Sequence, residues 1–197
     1  MKGQDMSKAS LRTIAAASAL LIAGLSLTGC TVNIGSTEHD MGSMNHATSE
    51  YTADDIMFMQ MMIPHHQQAV DMGTLAETRA SNSKVKALAA QIKGEQAPEI
   101  SEMKQWLKDA GASMTMGHTM TMTGMLSDAQ MAELEAASGA EFDRLYLEGM
   151  IAHHEGAIDM AEMVINSKTK NTHALGHAIT DSQTEQIAYM KELLATL

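Results

Sequence analysis

The chain repeats itself. Met62-Ile63-Pro64-His65-His66-Gln67-Gln68-Ala69-Val70-Asp71-Met72 aligns at an offset of 88 with Met150-Ile151-Ala152-His153-His154-Glu155-Gly156-Ala157-Ile158-Asp159-Met160, and 7 of 11 positions are identical. Phe58 matches Tyr146 upstream. At an offset of 87, Ala87, Leu88, Ile92, Gln96, Ile100, Met103, Lys104 and Leu107 recur as Ala174, Leu175, Ile179, Gln183, Ile187, Met190, Lys191 and Leu194. The apolar spacing is helical in both stretches, so the repeated unit is an αα-hairpin. Two such hairpins predict an all-α, ferritin-like four-helix bundle with pseudo-twofold symmetry. Only 2 Pro, 1 Trp, 2 Phe and 3 Tyr in 197 residues argue against an all-β sandwich or barrel.

The bundle is expected over residues 51–197, with repeat A at 51–110, a Met-rich central loop at 111–126 and repeat B at 127–197. Thr52 is a natural N-cap, with Asp54 and Asp55 in the first turn, for a helix to about Ala80. A second helix follows from about Lys84 to Ala110, with a kink expected at Pro98 and a stop at Gly111. Ser127 caps a short extra helix that Gly139 breaks. Long helices are then expected at about 141–166 and 169–197.

On a helical wheel at about 100° per residue, Tyr146, Met150, His153, Ala157, Met160 and Val164 form one apolar stripe. Leu147, Ile151, His154 and Ile158 form the next. Glu148, Glu155 and Asp159 fall opposite, toward solvent, as do Gln60, Gln67 and Asp71 in the first copy. Each His pair thus lies in an apolar arc, where an unpartnered imidazole costs about 1–3 kcal/mol. A core His bonded to a carbonyl and Met as a gap-filler are the ordinary explanations. Recurrence of the pair at matched positions favours a metal-ligand set instead: His65, His66, His153 and His154, with Met62, Met72, Met150 and Met160 a turn or two away. Pro64 removes a backbone bond beside the first pair, where the second copy has Ala152.

Thioether and imidazole without thiolate suit Cu(I), with Ag(I) as its mimic, and suit Mg²⁺, Ca²⁺ or Mn²⁺ poorly. Met114, Met116, His118, Met120 and Met122 alternate through a Thr- and Gly-containing segment with no helical period, and His39, Met41, Met44 and His46 cluster upstream. Both groups are expected to be secondary soft-metal ligands. His173 and His177, at i and i+4, fit a chelating pair. They fit solvated helix positions equally well, and their repeat mates Lys86 and Ala90 carry no imidazole.

Residues 1–29 read as a leader: Lys2, Lys8 and Arg12 precede an apolar run from Ile14 to Leu27. It ends at Leu27-Thr28-Gly29-Cys30, which resembles a bacterial lipobox. Cys30 is the chain's only Cys, so no intramolecular disulfide, Cys-based zinc site or dithiol motif is available. The expectation is a lipoprotein anchored through Cys30 on the extracytoplasmic face of the cell membrane, with the Ser-, Gly- and Thr-rich residues 30–50 as tether. A net charge of −11 excludes a phosphate-neutralising surface, hence nucleic-acid binding, and suits a cationic partner.

The two Met-Ile-x-His-His segments, each followed by Asp-Met and an apolar helix, resemble a bacterial family catalogued as a domain of unknown function. Its studied members include Met/His-rich periplasmic copper-binding proteins with ferritin-like bundles. The resemblance spans about Tyr51 to Leu197 and implies Cu(I) or Ag(I) binding and copper tolerance, with the motif histidines at His65, His66, His153 and His154. The expected role is copper buffering, sequestration or transfer without turnover, with a copper-handling protein as partner and self-association left open. One rival is a ferritin-like di-metal oxidase, which needs Glu-x-x-His on two helices. Met62, Ile63, Met150 and Ile151 stand where that Glu belongs. The other rival, a Met-rich protein-interaction module, calls for an amphipathic helical pattern that alternating Met-Thr lacks.

Overall fold

The computed structural model describes residues 50–117 and 122–197. The leader, Cys30 and the tether residues His39, Met41, Met44 and His46 lie outside the described residues, as do His118 and Met120 of the loop. The described part is all-helical: α1 (Ala53–Arg79), α2 (Ser83–Asp109), the short α3 (Asp128–Ala136), α4 (Gly139–Ala161) and α5 (Lys170–Leu194). Among the described residues no helix is long and apolar enough to cross a membrane.

α1 pairs with α2 and α4 with α5 as the two hairpins, which meet along α1 and α4. The core shows how they run. Phe58, Met59 and Met62 from the start of α1 cluster with Ala157, Met160 and Ala161 from the end of α4. Met72 and Ala76 from the end of α1 cluster with Phe142, Tyr146 and Met150 from the start of α4. α1 and α4 are therefore antiparallel, as a twofold perpendicular to their axes requires. Each fully buried Met or Phe adds about 1.5–3 kcal/mol, so the two clusters supply most of the holding force at either end of the bundle.

Thr52 accepts from the Asp55 amide at 3.2 Å while Asp55 accepts from the Thr52 amide at 2.8 Å, a reciprocal capping box. The Asp55 carboxylate also reaches across the bundle, where the hydroxyls of Ser167 (2.7 Å), Thr169 (2.7 Å) and Thr172 (2.5 Å) all donate to it. Its repeat mate Asp143 does the same in reverse, accepting from the Ser81 hydroxyl and the amides of Ser81 and Asn82. Each hairpin thus holds the turn of the other through one buried aspartate.

Pro64 and Pro98 both lie inside continuous helices, because a bundle helix packed along its length tolerates the loss of one backbone bond. Two local expectations are corrected. Gly139 does not break the short helix. At φ 68° it starts α4, after α3 has ended at Ala136. α4 itself stops at Ala161, with residues 162–166 in turns.

Candidate metal centre

Between the two apolar clusters lies a polar layer. His65, His66, His153 and His154 are all fully buried. The rings of His65 and His153 lie 3.8 Å apart between centroids. Residues related by the repeat can touch only at the pseudo-twofold axis, so the two copies meet there through imidazole. His154 sits 6.4 Å from His153 between ring centroids, on the α5 side.

The outer helices supply hydrogen-bond acceptors. His66 Nε2 is 2.7 Å from Glu99 Oε2 on α2, and His154 Nε2 is 2.8 Å from Gln186 Oε1 on α5. Glu99 and Gln186 are repeat mates at the offset of 87. Gln186 in turn donates its amide to Glu95 at 2.7 Å, and Gln91 donates to the same carboxylate at 2.9 Å. His65 Nε2 is 3.2 Å from the Thr123 carbonyl. The Nδ1 atoms of His65, His66 and His154 and both ring nitrogens of His153 are buried without a hydrogen-bond partner, as are Oε1 of the repeat mates Gln96 and Gln183.

Burial pushes the His65 imidazole down to about 3, assisted by neighbouring His66 and opposed by the Thr123 carbonyl. His154 is likewise held at about 4 by burial, against the Gln186 contact. His153 is pushed well below its ordinary value by burial and then by His65. These three rings are neutral at pH 7 and carry bare lone pairs, the state in which imidazole binds a metal.

The four thioethers flank this layer from both ends. Met62 and Met160 belong to one apolar cluster, Met72 and Met150 to the other, and all four are buried. Among the described residues no three His, Cys, Asp or Glu side chains gather as a ready metal site.

Ser113 and residues 122–126 of the central loop pack against the inner helices beside the layer. Gln60, half-exposed on the outer face of α1, donates to the Ser113 carbonyl at 2.8 Å. Gln68 grips Leu126 twice, donating to its carbonyl at 2.9 Å and accepting from its amide at 2.8 Å. Gly124, at φ 83°, and the carbonyl of Thr123 lie directly on Gly156, where a Cβ would overlap that carbonyl. Met122 is half-buried and packs on the cluster that holds Met62 and Met160, whereas Met114 is exposed. Loop Met residues therefore divide, and Met122 has a packing role that its alternation with Thr hides. Gly156→Val should lift Thr123 and Gly124 from α4 at a cost of about 1–3 kcal/mol. Faster amide exchange at Thr123 and Gly124 with the rest of the bundle protected would show it, and unchanged exchange would refute the contact.

His173 and His177 stack edge-to-face at 4.6 Å on α5, and His177 opens on a cleft shared with Glu162 and Asn166. They lie apart from the layer. Sequence reasoning overlooked Glu99, Gln186 and Glu95. The available signal was Gln96 recurring as Gln183 on an apolar helix face, a buried polar position kept in both copies.

The family model described as "Domain of unknown function (DUF305)" matches residues 55–194. Among solved structures, a DUF305 protein from Streptomyces coelicolor is 30% identical with a TM-score of 0.70, over 74% of this chain and 95% of that chain. A DUF305 fragment from Deinococcus radiodurans is 28% identical with a TM-score of 0.68, over 74% and 98%. CopM in its Cu(I)-bound form is 31% identical with a TM-score of 0.62, over 74% and 97%. CopM structures holding Cu(II) and Ag are also similar. No curated protein matches the chain.

Proposed function

The chain belongs to the DUF305 family, and from that premise we propose that it is a Cu(I)-binding protein that buffers, sequesters or hands on copper, with Ag(I) as mimic. The observation that carries this reading is the buried layer of four imidazoles with unpartnered nitrogens, flanked by Met62, Met72, Met150 and Met160. Neutral imidazole and thioether are soft to borderline donors and match Cu(I). The likeness to copper- and silver-bound CopM supports the same metal class. Met114 and Met116, with His118 and Met120, would serve as a capture segment of further soft donors, with Met122 packed at its inner end, and His39, Met41, Met44 and His46 would do the same in the tether.

The protein works as a binder and not as an enzyme. Glu148 and Glu155, on the helix that carries the second His pair, are exposed, and the carboxylates that do reach the layer, Glu99 and Glu95, bond His66 and Gln186; among the described residues no carboxylates gather with histidines as a di-iron oxidase requires. Anaerobic loading followed by metal analysis is expected to recover stoichiometric Cu(I) from a mixture containing Fe(II) and Mn(II). Recovery of iron or manganese instead would overturn the reading in favour of the oxidase.

We place the protein on the extracytoplasmic face of the membrane, anchored through lipidated Cys30. Fatty-acid labelling of the expressed full-length protein should be lost in Cys30→Ser. Retained label would refute the anchor.

A further inference from the structure

The ring nitrogen that faces metal in such a layer is decided by what holds the other one. Three of the four rings are held, and all three by the same atom. A backbone carbonyl only accepts, so His65 must carry its proton on Nε2 to bond Thr123. The His66 partner is a carboxylate oxygen, which makes Nε2 the donor there too. His154 faces an amide, whose oxygen and nitrogen are alike in shape, but Gln186 has a second contact that removes the choice. Its other end lies 2.7 Å from Glu95, and a carboxylate accepts only from the amide nitrogen. Gln186 Oε1 is therefore the atom turned to His154, and His154 Nε2 donates. Gln91 holds Glu95 from the other side.

We infer that Glu99 and Gln186, the latter oriented by Glu95, are positioning residues that preset His66 and His154 as Nε2–H tautomers and leave Nδ1 as the ligating atom, as Thr123 does for His65. His153, with no partner on either nitrogen, is the one ring whose tautomer the protein leaves open. The two repeats reach one outcome by different chemistry, a carboxylate in the first and an amide backed by a carboxylate in the second. Fixing the tautomer before metal arrives removes a reorganisation step and raises the basicity of the free nitrogen. The ligating part of this inference rests on the copper reading. The tautomer part does not.

Long-range nitrogen–proton correlation spectra of the 15N-labelled apo protein test it. Pyridine-type Nδ1 and pyrrole-type Nε2 resonances are expected for His65, His66 and His154, with exchange averaging at His153. Nδ1–H forms at His66 and His154 would overturn the assignment. Adding Ag(I) should move the Nδ1 resonances, and a shift at Nε2 instead would overturn Nδ1 ligation. If no resonance moves, the copper reading falls while the apo spectrum still decides the tautomers.

Gln186→Leu and Glu99→Leu should each release their ring to tautomer averaging and weaken Cu(I) by roughly 10- to 100-fold. Glu99→Gln keeps an accepting oxygen and should restore both. Gln186→Glu alone sets two carboxylates together and should fail, whereas Gln186→Glu with Glu95→Gln reverses the pair and should rescue the His154 tautomer. Wild-type spectra and affinity in Gln186→Leu would overturn the role of Gln186 whatever its effect on folding.

Discussion

Asp55→Ala is expected to cost about 3–5 kcal/mol of stability. The carboxylate is fully buried and gathers hydroxyls from Ser167, Thr169 and Thr172 while capping α1 through Thr52. Its removal strands the Ser167 hydroxyl, leaves Thr169 and Thr172 to the carbonyls of Glu50 and Thr169, and uncaps a helix terminus. Each unsatisfied buried group costs about 1–3 kcal/mol, and partial rewetting returns some of that. For a domain of this size the melting temperature should fall by roughly 10–15 °C. Asp143→Ala removes the matching clasp at the Ser81 turn and should cost somewhat less, with the two losses adding because the sites share no partner. Burial alone would raise the Asp55 carboxyl, but the hydroxyls of Thr172, Ser167, Thr169 and Thr52 outweigh it and hold it at about 2. A carboxyl lowered on folding contributes stability above its unfolded value that is lost as pH falls through the folded one. The advantage of wild type over Asp55→Asn should therefore decay between pH of about 4 and 2, by about 2 kcal/mol. Denaturant titrations across that range check it, and a difference independent of pH would contradict the charged clasp.

His153→Leu should move stability the other way. Both ring nitrogens of His153 are buried without partners, an arrangement that costs the metal-free fold about 1–3 kcal/mol per group. Leucine is similar in size and carries no polar atom, and its neighbours include the buried Met150 and Ala157. The apo variant is expected to be about 1–3 kcal/mol more stable than wild type while its copper affinity drops by at least about tenfold, or 1.4 kcal/mol. Such an inverse response is the mark of a side chain retained for binding at the expense of folding. A destabilised variant with unchanged copper affinity would make His153 a structural residue.

The hairpin duplication made the bundle legible from the residues alone, because helical spacing and an offset of 88 together leave few other ways to bury the apolar arcs. It also marked the four histidines. Asp55 and Asp143 obey the same offset, yet Asp55 looked like an ordinary first-turn acid. Its real partners lie more than 100 residues away, and no local pattern encodes a cross-bundle clasp. Glu99 and Gln186 were hidden for the opposite reason. They differ between the copies, so the repeat points away from them until the geometry shows that each offers an accepting oxygen to an Nε2. Gly156 stands opposite Gln68 in the alignment and looks like a mismatch. In space both serve the loop, one by gripping Leu126 and the other by leaving room for Thr123.

The central claim is that the buried imidazole layer holds the copper. Anaerobic titration of Cu(I) against a competing chelator tests it most directly, on wild type and on a variant with His65, His66, His153 and His154 all replaced by Leu. Leucine spares the cores that alanine would hollow, and helical circular dichroism confirms the fold of each sample. The tightest class of sites is expected to vanish in the variant, with affinity for the first Cu(I) weakened by more than about 100-fold, while weaker binding at the loop and tether persists. Equal affinity and stoichiometry in the two proteins would contradict it.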